Sequence, residues 1–72
     1  MKVTIVAYED SDVKVFANEK DALRYLVNTE IDEGGSCEED RPYLEGLSKA
    51  DWNRELRGIC SVYTATVYEE TP

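Results

Sequence analysis

The run Val-Thr-Ile-Val-Ala-Tyr at residues 3–8 constrains the fold most, because it is rich in β-forming residues and apolar on both alternating faces. A strand of this kind suits the centre of a sheet better than an edge. Residues 9–12 are polar and predict a turn, and residues 13–16 resume the β pattern, so the first two strands are expected to form a hairpin. One face of the first strand carries Val3, Ile5 and Ala7, and the other carries Thr4, Val6 and Tyr8.

A first helix is predicted from about Glu19 to Asn28. Asn18 can cap its N-terminus, and Asp21 follows three residues later. Residues 29–47 contain three glycines, a proline and a run of acids, and are expected to form a long loop. The apolar stripe of the helix, at helical spacing, consists of Ala22, Leu23, Leu26 and Val27.

A second helix is predicted between Ser48 and Gly58. Ser48 and Asp51 fit a capping box in which Asp replaces the usual Glu, and Leu47 can staple onto Trp52. Gly58 lies where a C-terminal glycine cap is expected. These contacts favour a place for Trp52 in the core rather than on a binding surface.

The strongest β-forming segment is the last one, residues 59–68, and a polar tail follows at 69–72. The whole pattern predicts a single domain, residues 1–72, of the α+β class. It is a three-stranded antiparallel sheet, with the order ββααβ along the chain and two helices packed on one face. We expect the first strand in the centre and the last strand beside it.

The charge of the chain indicates what kind of partner it can have. Sixteen acidic residues against eight basic ones give a formal net charge of -8. Direct binding to nucleic acid or to an anionic membrane is therefore not expected, because both need clustered Lys and Arg. No segment predicts a signal peptide or a membrane span, so the expected location is the cytoplasm, with Cys37 and Cys60 reduced and packed inside.

Catalysis, metals and cofactors are not predicted. The chain contains no histidine and no glycine-rich phosphate loop, which removes the commonest acid–base, nucleophilic and phosphate-binding sites. A calcium loop that starts at Glu30 would have Gly35 at its sixth position, but its twelfth position is Arg41, where a bidentate Glu is required. The chain is expected not to be an enzyme.

The acids are concentrated in two segments that the fold should bring together. The first segment is the hairpin turn, and the second is the predicted loop after the first helix. Because this helix must run back along the sheet, its C-terminal end should lie near the turn. The residues predicted to bind a partner are Glu9, Asp10, Asp12, Glu30, Asp32, Glu33, Glu38, Glu39 and Asp40, with Tyr43 as a possible aromatic anchor.

Residues 1–27 resemble a type of small bacteriophage protein, through MKVTIVAY, the acidic turn and KVFANEKDALRYLV. Such proteins open with two strands, a capped helix and then a final strand; the insertion at residues 30–58 departs from this compact pattern. Phages encode short acidic inhibitors of host enzymes and defence systems, some of which mimic nucleic acid. The resemblance implies an inhibitor of a host nucleic-acid-handling protein, such as a CRISPR effector, a restriction enzyme or a polymerase, with no residue roles carried over.

Three alternatives stay open at this point. The acidic segments can be solvated loops that only keep the protein soluble. The chain can be an assembly subunit that forms homo-oligomers through the edge of its C-terminal strand. It can also bind a cation or small molecule at low specificity.

Overall fold

The computed structural model describes residues 1–68, so the predicted tail at 69–72 lies outside the described residues. Three antiparallel strands form one sheet in the order β2-β1-β3, where β1 is Lys2–Tyr8, β2 is Val13–Phe16 and β3 is Ile59–Thr66. The predicted hairpin, the central first strand and the neighbouring last strand are all confirmed. The fold is α+β, as predicted.

The helical part is more broken than predicted. It contains α1 (Glu19–Asp32), α2 (Arg41–Glu45) and α3 (Trp52–Glu55), with 3-10 turns at Glu38–Asp40 and Lys49–Asp51. The prediction of two helices is therefore corrected to three α-helices in the described residues.

The first helix, α1, begins where predicted, because the Asn18 side chain accepts a hydrogen bond of 2.8 Å from the Asp21 N–H. Its predicted end at Asn28 is wrong by one turn, since α1 continues to Asp32. In the added turn, Ile31 packs partly buried against the core, and Glu30 is buried with Arg57 beside its carboxylate.

The predicted loop at residues 29–47 is also corrected. It holds the last turn of α1, a 3-10 turn and the whole of α2. Pro42 occupies the first turn of α2, where a missing N–H and a fixed φ favour helix initiation rather than helix termination.

The second predicted helix is shorter than expected, because Leu56 is already extended and buried as the chain enters β3. Its predicted capping box does not form: the Ser48 hydroxyl donates to the Asp51 carboxylate at 3.0 Å rather than accepting from a backbone N–H. Gly58 does not cap the helix either. It adopts a φ of 77° in the turn that leads into β3, and its carbonyl accepts a 2.9 Å hydrogen bond from the Glu9 N–H.

The core lies between one face of the sheet and the helices. Val6 and Ile59 from the sheet are buried against α1, and Trp52 is buried at 2% exposure, which confirms its predicted core position. The thiols of Cys37 and Cys60 are free and exposed, so their predicted packing role is wrong: Cys37 precedes a surface turn, and Cys60 lies on an edge strand. No helix among residues 1–68 is long and apolar enough to cross a membrane.

Candidate functional site: an acidic cleft

An open cleft of about 430 Å³ lies at the end of the sheet where β1 turns into β2. Three parts of the chain form it: the hairpin turn, the C-terminal half of α1 and the segment that leads into β3. We call it the acidic cleft, and we call Glu9, Asp10, Asp12 and Glu33 its rim carboxylates.

The hairpin turn is held by its own backbone. The Tyr8 N–H donates to the Asp12 carbonyl at 2.9 Å, and the Ser11 N–H donates to the Tyr8 carbonyl at 3.1 Å. Ser11 has a φ of 73°, which lets the turn close within four residues. The Asp10 carboxylate accepts the Asp12 N–H at 3.1 Å, which fixes the conformation of this acidic turn.

Glu30 is the buried carboxylate of the cleft, with 7% exposure. One of its oxygens lies 3.7 Å from the Arg57 Nε, and the other accepts the Arg57 backbone N–H at 3.4 Å. Gly35 packs so closely on Glu30 that a Cβ added there would lie 2.2 Å from the Glu30 Oε1. Glu30 therefore joins α1 to the turn before β3, and little of its surface is left for contact with a partner.

Two tyrosines line the cleft beside the carboxylates. Tyr8 is half-buried at the end of β1, and Tyr25 lies on α1 with its ring 5.4 Å from the ring of Phe16. The Lys14 ammonium lies 5.6 Å from the centre of the Tyr25 ring, within the range of a cation–π contact.

The pKa of the Tyr8 hydroxyl is raised, first because burial disfavours the tyrosinate. The neighbouring Tyr25 and the carboxylates of Asp12, Asp10 and Glu33 raise this pKa further, because a negative charge on Tyr8 would be repelled by theirs. Five carboxylates line the cleft against Lys14 and Arg57, so its net charge is negative, which favours a cation.

The acids of the cleft differ in how far their charges are compensated. Glu30 faces Arg57, and Asp12 lies 3.9 Å from Lys14 in an exposed pair. Within residues 1–68, Glu9, Asp10 and Glu33 have no ion-pair partner. These three rim carboxylates are therefore available to an external cation.

The other predicted site residues do not line the cleft. They are Asp32, Glu38, Glu39, Asp40 and Tyr43, so five of the nine predicted carboxylates line it. Glu38 is bound by Arg41 at 2.8 Å, and this hydrogen bond lowers the pKa of the Glu38 carboxyl. Asp40 accepts the Cys37 N–H at 3.1 Å. Tyr43 is exposed on α2.

Four charged or aromatic residues of the cleft were not predicted from the sequence: Tyr8, Lys14, Tyr25 and Arg57. The strand and helix periodicity of the sequence could have indicated two of these residues, Lys14 and Tyr25. Lys14 pairs with Val6 and so lies on the helix-covered face of the sheet, and Tyr25 lies one turn before Thr29 on the side of α1 that faces the hairpin turn. No sequence pattern indicated the place of Arg57.

No cluster of three or more potential metal ligands occurs among residues 1–68. No protein-family model, curated protein or solved structure matches this chain.

Proposed function

We propose that this chain is a non-enzymatic binding protein that docks its acidic cleft onto a basic surface of a nucleic-acid-handling protein and so inhibits or modulates it. One observation carries the proposal: three rim carboxylates that have no ion-pair partner among residues 1–68, Glu9, Asp10 and Glu33, surround a cleft lined by two tyrosines.

The chemistry of the cleft suits a Lys or Arg side chain. Carboxylates bind guanidinium and ammonium groups by charge-assisted hydrogen bonds, and tyrosine rings add a cation–π attraction. Lys14 of the chain itself already places an ammonium over the Tyr25 ring. An incoming cation would meet the rim carboxylates on the open side of the same cleft.

The class of partner follows from the charge of the whole chain. A protein with a net charge of -8 is attracted over a distance to strongly basic surfaces, and such surfaces are typical of nucleic-acid-binding proteins. The resemblance to small bacteriophage proteins makes a bacterial host protein the partner to test first. Occupation of its basic groove would exclude DNA or RNA phosphates by direct competition.

The test is capture of partners by the tagged protein from a bacterial lysate, followed by elution in a salt gradient. We expect a nucleic-acid-binding protein to be released at moderate salt, because counter-ions screen a charge-driven contact. Duplex DNA or RNA added in solution should displace the tagged protein from the purified partner.

A matched pair of variants separates the cleft from the net charge. Glu9→Gln with Glu33→Gln removes two charges from the cleft, whereas Glu39→Gln with Glu55→Gln removes two outside it. The first variant should weaken binding by about tenfold or more, and the second by much less. Equal losses in the two variants, or no loss in the first, would contradict the proposal.

A second candidate function is assembly through the edge of β3. This strand lies at one side of the sheet, and its eight residues offer backbone groups to a further strand. Light scattering over a range of concentrations tests it, since a stable oligomer in the absence of any basic partner would favour assembly over inhibition.

A further inference from the structure

The sheet has a second apolar face that the helices do not cover. Residues that pair across the strands define it: Val15 and Tyr63 flank Ile5 on either side, and Ala65 lies opposite Val3. We call this surface the open sheet face; it is defined by Val3, Ile5, Val13, Val15, Tyr63 and Ala65.

The side chains of the open sheet face at its edges are accessible to solvent. Val13 is 52% exposed, Val15 is 61% exposed and Tyr63 is 48% exposed. Among residues 1–68, no charged residue belongs to this face, because Lys2 and Lys14 pair with Thr66 and Val6 and therefore point to the side covered by the helices. This described part of the face is neutral although the chain carries a charge of -8.

The monomer accounts for only part of this pattern, since it buries Val3 to 6% exposure but leaves Val13, Val15 and Tyr63 exposed. An antiparallel sheet with one solvated face normally alternates apolar and polar residues, so that the outer face is hydrophilic. Here both faces of β1 are apolar, although α1 and its neighbours cover only one of them. Such a pattern is typical of a strand that is buried on both sides.

We infer that the open sheet face is the contact surface between two copies of this chain, which stack sheet against sheet. A second copy is the occupant that the charge distribution favours. Two chains of like charge repel each other over most of their surfaces, but an uncharged face can be desolvated against itself without burying a charge. The acidic cleft lies on the helix side of the sheet and stays accessible in the pair.

The geometry of such a pair is simple. Stacked sheets pack about 10 Å apart with their strands roughly aligned, and a two-fold axis makes the same face contact itself. If the two copies run in opposite directions, their acidic clefts lie at opposite ends of the pair, which keeps the strongest negative charges apart.

The size of the face determines the strength of the contact. A seven-residue central strand is about 24 Å long and three strands are about 14 Å wide, so the footprint is about 340 Å² per copy. A standard interface buries about 800 Å² per partner. The pair is therefore a weak, concentration-dependent dimer rather than an obligate one.

Analytical ultracentrifugation of the purified chain, from about 10 µM to about 1 mM, tests the inference. We expect a reversible monomer–dimer equilibrium that shifts toward dimer as sodium chloride is raised from about 0.05 M to about 0.5 M, because salt screens the repulsion between the copies. The proposed complex at the acidic cleft has the opposite salt dependence, so the two contacts can be told apart.

Two lysine variants with the same change in net charge locate the contact. Val15→Lys places a charge on the open sheet face, and Asn53→Lys places one on an exposed position of α3. Val15→Lys should weaken the dimer by at least about tenfold although it lowers the net repulsion, because its ammonium would be buried without a partner. Asn53→Lys should leave dimerisation unchanged or slightly stronger.

Val15→Thr is the second variant, since it keeps a β-branched residue on β2 and should fold even if the lysine variant does not. It should weaken the dimer by a smaller factor. Circular dichroism establishes that each variant is folded. A monomer at every concentration and salt, or a dimer that Val15→Lys and Val15→Thr leave unchanged, would overturn the inference and, in the latter case, point to the β3 edge.

Discussion

At the scale of single residues, Gly35 is the glycine at which an added side chain would meet the most crowded surroundings, because it lies against Glu30. An added Cβ at Gly35 would lie 2.2 Å from the Glu30 Oε1 and 2.7 Å from its Cδ, so the buried carboxylate would have to move. We predict that Gly35→Ala lowers the free energy of unfolding by about 1–3 kcal/mol. Urea unfolding followed by the fluorescence of Trp52, the single tryptophan, measures it.

Two further variants show whether the cause is this contact. Gly46→Ala introduces the same methyl group 3.5 Å from the nearest atom and at an ordinary φ of -93°, so it should be neutral or up to about 1 kcal/mol stabilising. In a Glu30→Ala background, Gly35→Ala should lose most of its penalty, because the obstructing carboxylate is gone. A penalty that is the same in both backgrounds would show that the Glu30 contact is not responsible.

The hydroxyl of Tyr8 gives the stability of the protein a dependence on alkaline pH. Its pKa is raised in the folded state by burial and by nearby negative charge, relative to about 10 in the unfolded chain. The resulting stabilisation is complete below pH of about 10 and is lost as pH rises through the folded pKa. Between these limits, Tyr8→Phe should lose less stability with pH than the wild-type chain does.

Spectrophotometric titration tests the same assignment directly. The absorbance of tyrosinate should show one of the five tyrosines titrating above the usual range, and this late step should be absent in Tyr8→Phe. If the free energy of unfolding falls equally with pH in the wild-type chain and in Tyr8→Phe, ionisation of Tyr8 is not the cause of the loss of stability.

At the scale of elements, α1 is destabilised by its own C-terminal end. Its first turn carries the favourable acids Glu19 and Asp21, but its last turn has no basic residue and ends on Asp32 and Glu33, where the negative end of the helix dipole repels them. We predict that Asp32→Lys raises the free energy of unfolding by about 0.3–1 kcal/mol at low salt and that Asp32→Asn gives part of this gain.

Salt serves as the control for this prediction, because dipole interactions at an exposed helix end are screened. The gain from Asp32→Lys should shrink as sodium chloride is added. A gain that persists at high salt would indicate a contact effect instead of a charge effect. Since Asp32 does not line the acidic cleft, the variant should bind the captured partner nearly as well as the wild-type chain.

The elements that could be predicted are those defined by local patterns. The hairpin, the Asn18 cap and the central β1 follow from alternation and capping, and they bring Glu9 and Glu33 to one cleft as expected. The end of α1 was missed because Glu30 is a polar residue at a core position, and its burial depends on Arg57, which is 27 residues away.

The segment between α1 and α3 shows why the rest of the site could not be predicted. Arg41 bonds Glu38, Glu45 and Asn28 at once, with the Asn28 contact at 2.6 Å, and these bonds hold the 3-10 turn and α2 against α1. Acids lie on both sides of Arg41 in the sequence, and only tertiary packing decides which of them it binds. The acids of this segment are thereby kept out of the acidic cleft.

At the scale of the whole molecule, the two proposed contacts use surfaces of opposite character. In the part of the chain that the structure describes, the acidic cleft concentrates carboxylates without ion-pair partners on the helix side of the sheet, whereas the open sheet face on the other side carries no charged residue. Partner binding and self-association are therefore compatible in one molecule.

The same concentration of charge governs how salt affects folding. At about 0.01 M salt the Debye length is about 30 Å, which exceeds the 24 and 20 Å cross-section of the molecule, so carboxylates on opposite sides of it repel one another. At about 0.1 M it is about 10 Å, and only neighbouring charges interact. Exposed ion pairs such as Lys14–Asp12 contribute little that salt could remove. We therefore predict that the free energy of unfolding rises across this narrow range of salt, measured by urea unfolding at a protein concentration low enough to keep the chain monomeric.

The variants designed for partner binding locate the source of this repulsion without any partner. If the rim carboxylates of the acidic cleft dominate it, Glu9→Gln with Glu33→Gln should make the chain more stable at low salt and should flatten its salt dependence. Glu39→Gln with Glu55→Gln changes the net charge equally but lies outside the cleft, so its effect should be smaller. If both pairs of substitutions flatten the salt dependence equally, the repulsion comes from the net charge of -8 as a whole and not from the rim carboxylates of the acidic cleft.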